Sequence, residues 1–230
     1  MQGMQIRMLR RLKTRTCAGL AVLAMVLLVL AGCATDGEVK APVAHEPSVD
    51  REPSVARLAD GREGFIITEV PTMDEESRRD FDRAVAMLKD QDYGQAIELL
   101  EKVIEQSPGV TAPYIDIAIA YEHVGKLEQA EENLKTALKL FSDHPVACNE
   151  YGLLYRKTGR FAEARVMYEK AIARFPDYYP AHRNLGILCD LYLNDPACAL
   201  EQYEIYSKAR PEDKQVKLWI ADLRVRLGRN

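Results

Sequence analysis

The feature that most limits the fold of this 230-residue chain is its similarity to itself at a shift of 34 residues. That shift superposes Ala84, Ala118, Gly152 and Gly186, and equally Met87, Tyr121, Tyr155 and Cys189. Ala96, Ala130 and Ala164 form a further column, as do Leu100, Leu134 and Tyr168, and Val103, Ala137 and Ala171. Tyr93, Leu127 and Phe161 align, and so do Gln91, Gly125 and Gly159. A fourth copy keeps register once a single residue is inserted between Cys189 and Ala199, in the Leu193-Asn194-Asp195-Pro196 turn; Ala199, Tyr203 and Pro211 then fall on Ala164, Tyr168 and Pro176. Units of this size bury their apolar faces only against their neighbours, so the chain must form a stacked array.

Each unit reads as two amphipathic helices. The Ala and Gly columns stand where backbones approach closely, and the large residues fill the space between. Pro113, Pro145 and Pro180 fall where a first helix begins, a position that tolerates proline, and Gly125 and Gly159 mark the turn within a unit. Thr72 and Glu75 have the spacing of a capping box. The pattern predicts helices over 74–90, 93–106, 111–124, 127–140, 145–158, 161–174, 180–192 and 196–209. Residues 212–230 hold one more amphipathic segment, Asp213 to Leu227, in which Val216, Leu218, Trp219, Ile220, Leu223 and Leu227 are apolar. It is expected to cap the array, with Trp219 in the core rather than in a binding site.

In the third copy, Tyr151, Gly152, Tyr155, Gly159, Phe161, Ala164, Tyr168, Ala171 and Pro176 resemble the tetratricopeptide repeat motif almost completely. The resemblance implies an all-α fold, a right-handed α-solenoid of four helix hairpins over residues 74–210 followed by the capping helix. The units would span about 77–110, 111–144, 145–178 and 179–211.

Residues 1–32 read differently, as a secretory signal. Arg7, Arg10, Arg11, Lys13 and Arg15 precede an apolar run from Cys17 to Leu30, too short for a bilayer core of about 30 Å. Leu30-Ala31-Gly32-Cys33 resembles a bacterial lipobox, which implies cleavage before Cys33 and a lipid on that residue, with palmitate among its acyl chains. Ala34 and Thr35 follow where an Asp would favour inner-membrane retention, so the resemblance implies the periplasmic face of the outer membrane. Losing the five basic residues takes the formal charge from −4 to −9. An acidic chain without a basic patch is not a nucleic-acid binder.

Residues 33–62, with Pro42, Pro47 and Pro53 and no periodicity, read as a flexible tether. Its reach is roughly 30 Å. Residues 63–73 are a short apolar lead-in, in which Phe65, Ile66, Ile67 and Val70 either pack on the first helix or offer a strand to a partner.

No phosphate-binding loop, His-Glu-x-x-His or nucleophile elbow occurs in the sequence, and His123, His144 and His182 lack metal-ligand spacing. The expectation is a non-enzymatic protein with no catalytic residues, no metal and no cofactor beyond the Cys33 lipid. Cys148 stands in a buried slot equivalent to Tyr114. Cys189 and Cys198 flank the irregular turn and are candidates for a disulfide in an oxidising compartment, the alternative being two separately buried thiols.

In arrays of the resembled family the first helices line a concave face. Val85, Ile119, Leu153 and Ile187 are apolar in every copy, with Phe81, Ile115, Asn149 and Arg183 one turn before them and Asn184 beside Arg183. Together these would suit an extended or helical peptide, or the apolar row packs between neighbouring first helices. The Lys and Asn clamp for a chaperone's terminal carboxylate is absent, because Ile115, Ile119 and Glu150 occupy its slots. Two functions follow from the resemblance to envelope lipoproteins with these repeats. One is a factor that helps assemble or localise an envelope complex, like pilotins and the accessory lipoproteins of type IV and Tad pili. The other is an adaptor recruiting periplasmic proteases or peptidoglycan enzymes. A third arrangement, an uncut signal serving as an inner-membrane anchor for a periplasmic scaffold, would show as an unprocessed N-terminus.

Overall fold

The structure, a computed structural model, describes residues 52–58 and 64–228. The signal segment, Cys33 and most of the tether lie outside the described residues. What is described falls within a single compact unit, residues 47–230.

Nine helices are present among the described residues: α1 (Glu75–Lys89), α2 (Tyr93–Gln106), α3 (Thr111–His123), α4 (Leu127–Leu140), α5 (Pro145–Lys157), α6 (Phe161–Arg174), α7 (Tyr179–Leu191), α8 (Pro196–Ala209) and α9 (Lys214–Arg226). The four expected hairpins and the capping helix are therefore all there. The first helices contact one another, α1 with α3, α3 with α5 and α5 with α7, and so form one layer of the array. The second helices form the other. Between the layers runs a continuous core that includes Leu100, Leu134, Tyr168, Tyr203 and, under the cap, Val216, Ile220 and Leu223. Trp219 is half-buried against this core, its ring 5.2 Å from that of Tyr203.

Every hairpin turns through a residue with positive φ. Gly125 (+78°) and Gly159 (+77°) do so without strain, whereas the first and fourth hairpins use Gln91 (63°) and Asn194 (51°). Five of these helices are capped by the side chain of the residue before them: Asp74, Asp92, Asp195 and Asp213 accept from the backbone N–H three residues on, and His144 does the same through Nδ1. The first helix is thus opened by Asp74, not by the Thr72–Glu75 capping box, because the chain enters the helix two residues later than that motif requires.

The N-terminal lead-in also departs from expectation. Ser54–Arg57 form β1, inside the segment expected to be tether, and pair antiparallel with β2 (Phe65–Thr68) in the register Val55 to Ile67. The lead-in's strand is therefore satisfied within the chain, and it docks on the connection between α6 and α7. The Phe65 ring lies 4.8 Å from Phe175 and edge-on to Tyr178 at 5.6 Å. Arg57 pairs with Asp177, and Arg174 donates to the Pro53 carbonyl at 3.1 Å. Further along, Glu69 accepts from the Thr111 backbone N–H at 3.1 Å and from its hydroxyl, and Pro71 lies against Gly109, where an added Cβ would stand 2.5 Å from Pro71 Cγ. Only Met73 joins the core beside the first hairpin. The lead-in is a strap over the connections between units.

Cys189 at the end of α7 and Cys198 at the start of α8 form a disulfide, with their Cα atoms 6.0 Å apart. Cys148 is buried with a free thiol that burial pushes up to about 11.

Candidate protein-binding face

The layer of first helices carries the expected site residues, and the structure divides them. Val85, Ile119, Leu153 and Ile187 are half-buried: each packs against core residues beneath and keeps part of its surface open. The row thus serves both as packing and as accessible apolar surface. Arg183 and Asn184 are half-exposed as well.

Phe81, Ile115 and Asn149 do not line the face. Their exposures are 9%, 3% and 2%. One turn before the apolar row the helix surface faces the neighbouring unit, so Ile115 packs with Ala137 and Ala147, and Phe81 joins the main core. Asn149 is held between helices by hydrogen bonds: Asn184 Nδ2 donates to Asn149 Oδ1 at 2.9 Å, and Asn149 Nδ2 donates to Glu150 Oε1 at 2.9 Å.

Two carboxyls on this face escape a reading by apolar pattern. Burial pushes Asp116 up to about 6, and burial together with the neighbouring Glu122 and Asp116 charges pushes Glu150 up to about 7. Both belong to the column Asp82, Asp116, Glu150 and Asn184, which the 34-residue shift already superposes. Glu122 is paired with Lys157 at 3.2 Å.

At the far end of the face a cavity of about 400 Å³ opens between Arg183, Asn184, Tyr206 and Asp213. The Arg183 guanidinium lies 5.5 Å from the Trp219 ring centroid and 3.9 Å from the Asp213 carboxylate. A second cavity, about 430 Å³, lies where Phe65 meets Phe175 and Tyr178 under the strap. Among the described residues, one group of potential metal ligands comes together, Cys189, Asp195 and Cys198, and its two sulfurs are already joined to each other.

Comparison with known proteins agrees with this geometry. Residues 87–147 and 123–186 match the tetratricopeptide repeat family model. Among solved structures, PilF of Pseudomonas aeruginosa superposes with a TM-score of 0.62 at 24% identity, over 66% of this chain and 69% of that one. PilW, described as a widely conserved type IV pilus biogenesis factor, gives 0.60 at 24% identity over 68% and 72%. MamA of Desulfovibrio magneticus RS-1 gives 0.58 at 18% over 69% and 89%. These likenesses concern the fold. The probable peptide N-acetylglucosaminyltransferase SPINDLY of Petunia hybrida is 31% identical over 98 residues, 42% of this chain. The match spans only 10% of that enzyme's length and lies within the repeats. Period and helix layers make the array an all-α solenoid of helix hairpins, and the family model identifies tetratricopeptide repeats within residues 87–186 of it, a fold that suggests a protein–protein interaction scaffold.

Proposed function

We propose that this protein is a non-enzymatic scaffold, tethered through a lipid on Cys33 to the periplasmic face of the outer membrane, that assists assembly or localisation of an envelope complex such as a pilus or secretion machine. The observation that carries the reading is the half-open apolar row on the first-helix layer, one residue per unit from Val85 to Ile187. Such a row is stable without a partner and gains by covering. The likeness in fold to PilW, a type IV pilus biogenesis factor, supports the envelope setting, and Leu-Ala-Gly-Cys supports the tether. The disulfide suits an oxidising compartment.

The test combines two changes. Cys33→Ser is expected to abolish acyl labelling and release the protein from the membrane fraction; sedimentation unchanged with no label in the parent protein rules the tether out. Leu153→Glu is expected to weaken crosslinking to the envelope partner while helical content stays near that of the parent. Gly152→Leu, by contrast, is expected to unfold the array. If Leu153→Glu unfolds it equally, the row is core and the binding reading fails.

A further inference from the structure

The apolar row has a second row at its side. Asp82, Asp116, Glu150 and Asn184 each stand three residues before Val85, Ile119, Leu153 and Ile187 on the same four helices. Residues three apart are neighbours on one helix face, so carboxylates run beside apolar side chains across α1, α3 and α5. No described Lys or Arg pairs with Asp82, Asp116 or Glu150, and the groups nearest Glu150 in charge are Glu122 and Asp116. Asp82 is exposed, but Asp116 and Glu150 are half-buried, and half-buried carboxylates without a cation detract from stability, so neutral residues at those two positions would serve the fold better. The fourth unit ends the acidic row with Asn184, tied to Asn149 and followed by the cationic Arg183 end of the face.

Resting on the reading of this face as the partner surface, we propose that it takes an amphipathic α-helix of the partner with an apolar residue at every seventh position and Lys or Arg along one flank. The spacing selects the helix. Packed neighbouring helices lie about 8–10 Å apart, and a seven-residue step along a helix advances about 10.5 Å. A β-strand covers that distance in about three residues, but residues three apart in a strand face opposite sides. Apolar side chains at that step meet Val85, Ile119 and Leu153, and the cationic flank then lies over Asp82, Asp116 and Glu150. Charge complementarity fixes which way the helix is rolled.

The test uses the full-length protein in detergent and two labelled synthetic helices of roughly 21 residues, with identical leucines at every seventh position. One carries Lys along the flank, the other Glu. The Lys helix is expected to bind at least tenfold more tightly, and Asp116→Asn with Glu150→Gln to remove about tenfold of its affinity and most of its salt dependence, at unchanged helical content. Glu150→Lys is expected to shift preference towards the Glu helix. Equal binding, preference of the parent for the Glu helix, no binding of either, or a Lys helix indifferent to these substitutions overturns the proposal. A photocrosslinker at Ile119 in intact cells separates it from the wider reading. Capture of an envelope protein through a neutral or acidic segment keeps the scaffold and discards the cationic helix. Silence at Ile119 and Leu153, with crosslinks from the exposed Val166 on α6, discards both.

Discussion

The Tyr168 ring lies directly over Gly152: a Cβ built on that glycine would stand 2.5 Å from Tyr168 Cε1. Gly186 and Tyr203 repeat the relationship, again at 2.5 Å. In the first two units the same columns hold Ala84 with Leu100 and Ala118 with Leu134, all buried. The chain thus uses two solutions for one crossing, a methyl with a leucine or no methyl with a tyrosine. Volume is conserved across the pair rather than at either position.

Gly152→Ala is accordingly expected to destabilise the array by about 1–3 kcal/mol, the usual range for overpacking. Combining it with Tyr168→Leu should restore most of that loss, because the pair then matches Ala118 with Leu134. Urea midpoints of the two single variants and the double variant check this. Additive losses refute the coupling.

The sequence disclosed the helices almost to the residue, because proline, glycine and the 34-residue columns punctuate every unit: α2, α4, α6 and α8 fall on their expected bounds. It disclosed less wherever a neighbour decides the outcome. Ile115 and Asn149 occupy face-like positions in the pattern but are covered by the adjoining unit, and periodicity within one helix cannot register that. The carboxylate row was present in the columns but had no apolar signature to mark it. The strap was half legible: Phe65 to Val70 stood out as a candidate strand, but its partner β1 has only four residues, too few for alternation to show, and the anchor points, Phe175 and Tyr178, are more than a hundred residues away.

The disulfide predicts a thiol count. In a chain begun at residue 52, unfolded without reductant, one titratable thiol should be exposed, that of Cys148. Replacing Cys189 and Cys198 by Ala should lower stability by about 2–3 kcal/mol, since the bridge constrains a short loop in the unfolded chain. Three thiols would refute the bridge.

Acidity should stabilise this array slightly, and the sign depends on the face. Asp116 and Glu150 titrate upward, to about 6 and about 7, so the stability each contributes is complete below its unfolded value and is lost as pH rises through those numbers. His144 acts oppositely. Its Nδ1 accepts from the Ala147 N–H at 3.2 Å and burial holds it down to about 4, so its contribution is complete above its unfolded value near 6.5 and is lost as pH falls through 4. Between about pH 7 and 5, two carboxyls outweigh one imidazole. The unfolding midpoint of the parent protein should rise as pH falls across that window, whereas with Asp116→Asn and Glu150→Gln it should fall. Parallel slopes for the two proteins would contradict the assignment.

The strap should prove to be held from its far end by Glu69. The residue before α3, Val110, has no side chain able to cap the helix, and the carboxylate of Glu69, 42 residues away, takes that role on the Thr111 N–H and hydroxyl. A charged acceptor at a helix N-terminus is worth more than a neutral one, because the exposed N–H groups carry partial positive charge. Glu69→Gln is therefore expected to reduce stability by about 1 kcal/mol. Amide exchange in β1 and β2 should accelerate at the same time, while core amides of α5 and α6 keep their protection, since solenoid units are stabilised mainly by their own neighbours. The control is Glu75→Gln, whose side chain is exposed at the start of α1 and makes a single long contact, 3.4 Å to Arg79. If exchange in the strap is the same in both variants, Glu69 does not hold it, and the Phe65 contacts with Phe175 and Tyr178 are sufficient on their own.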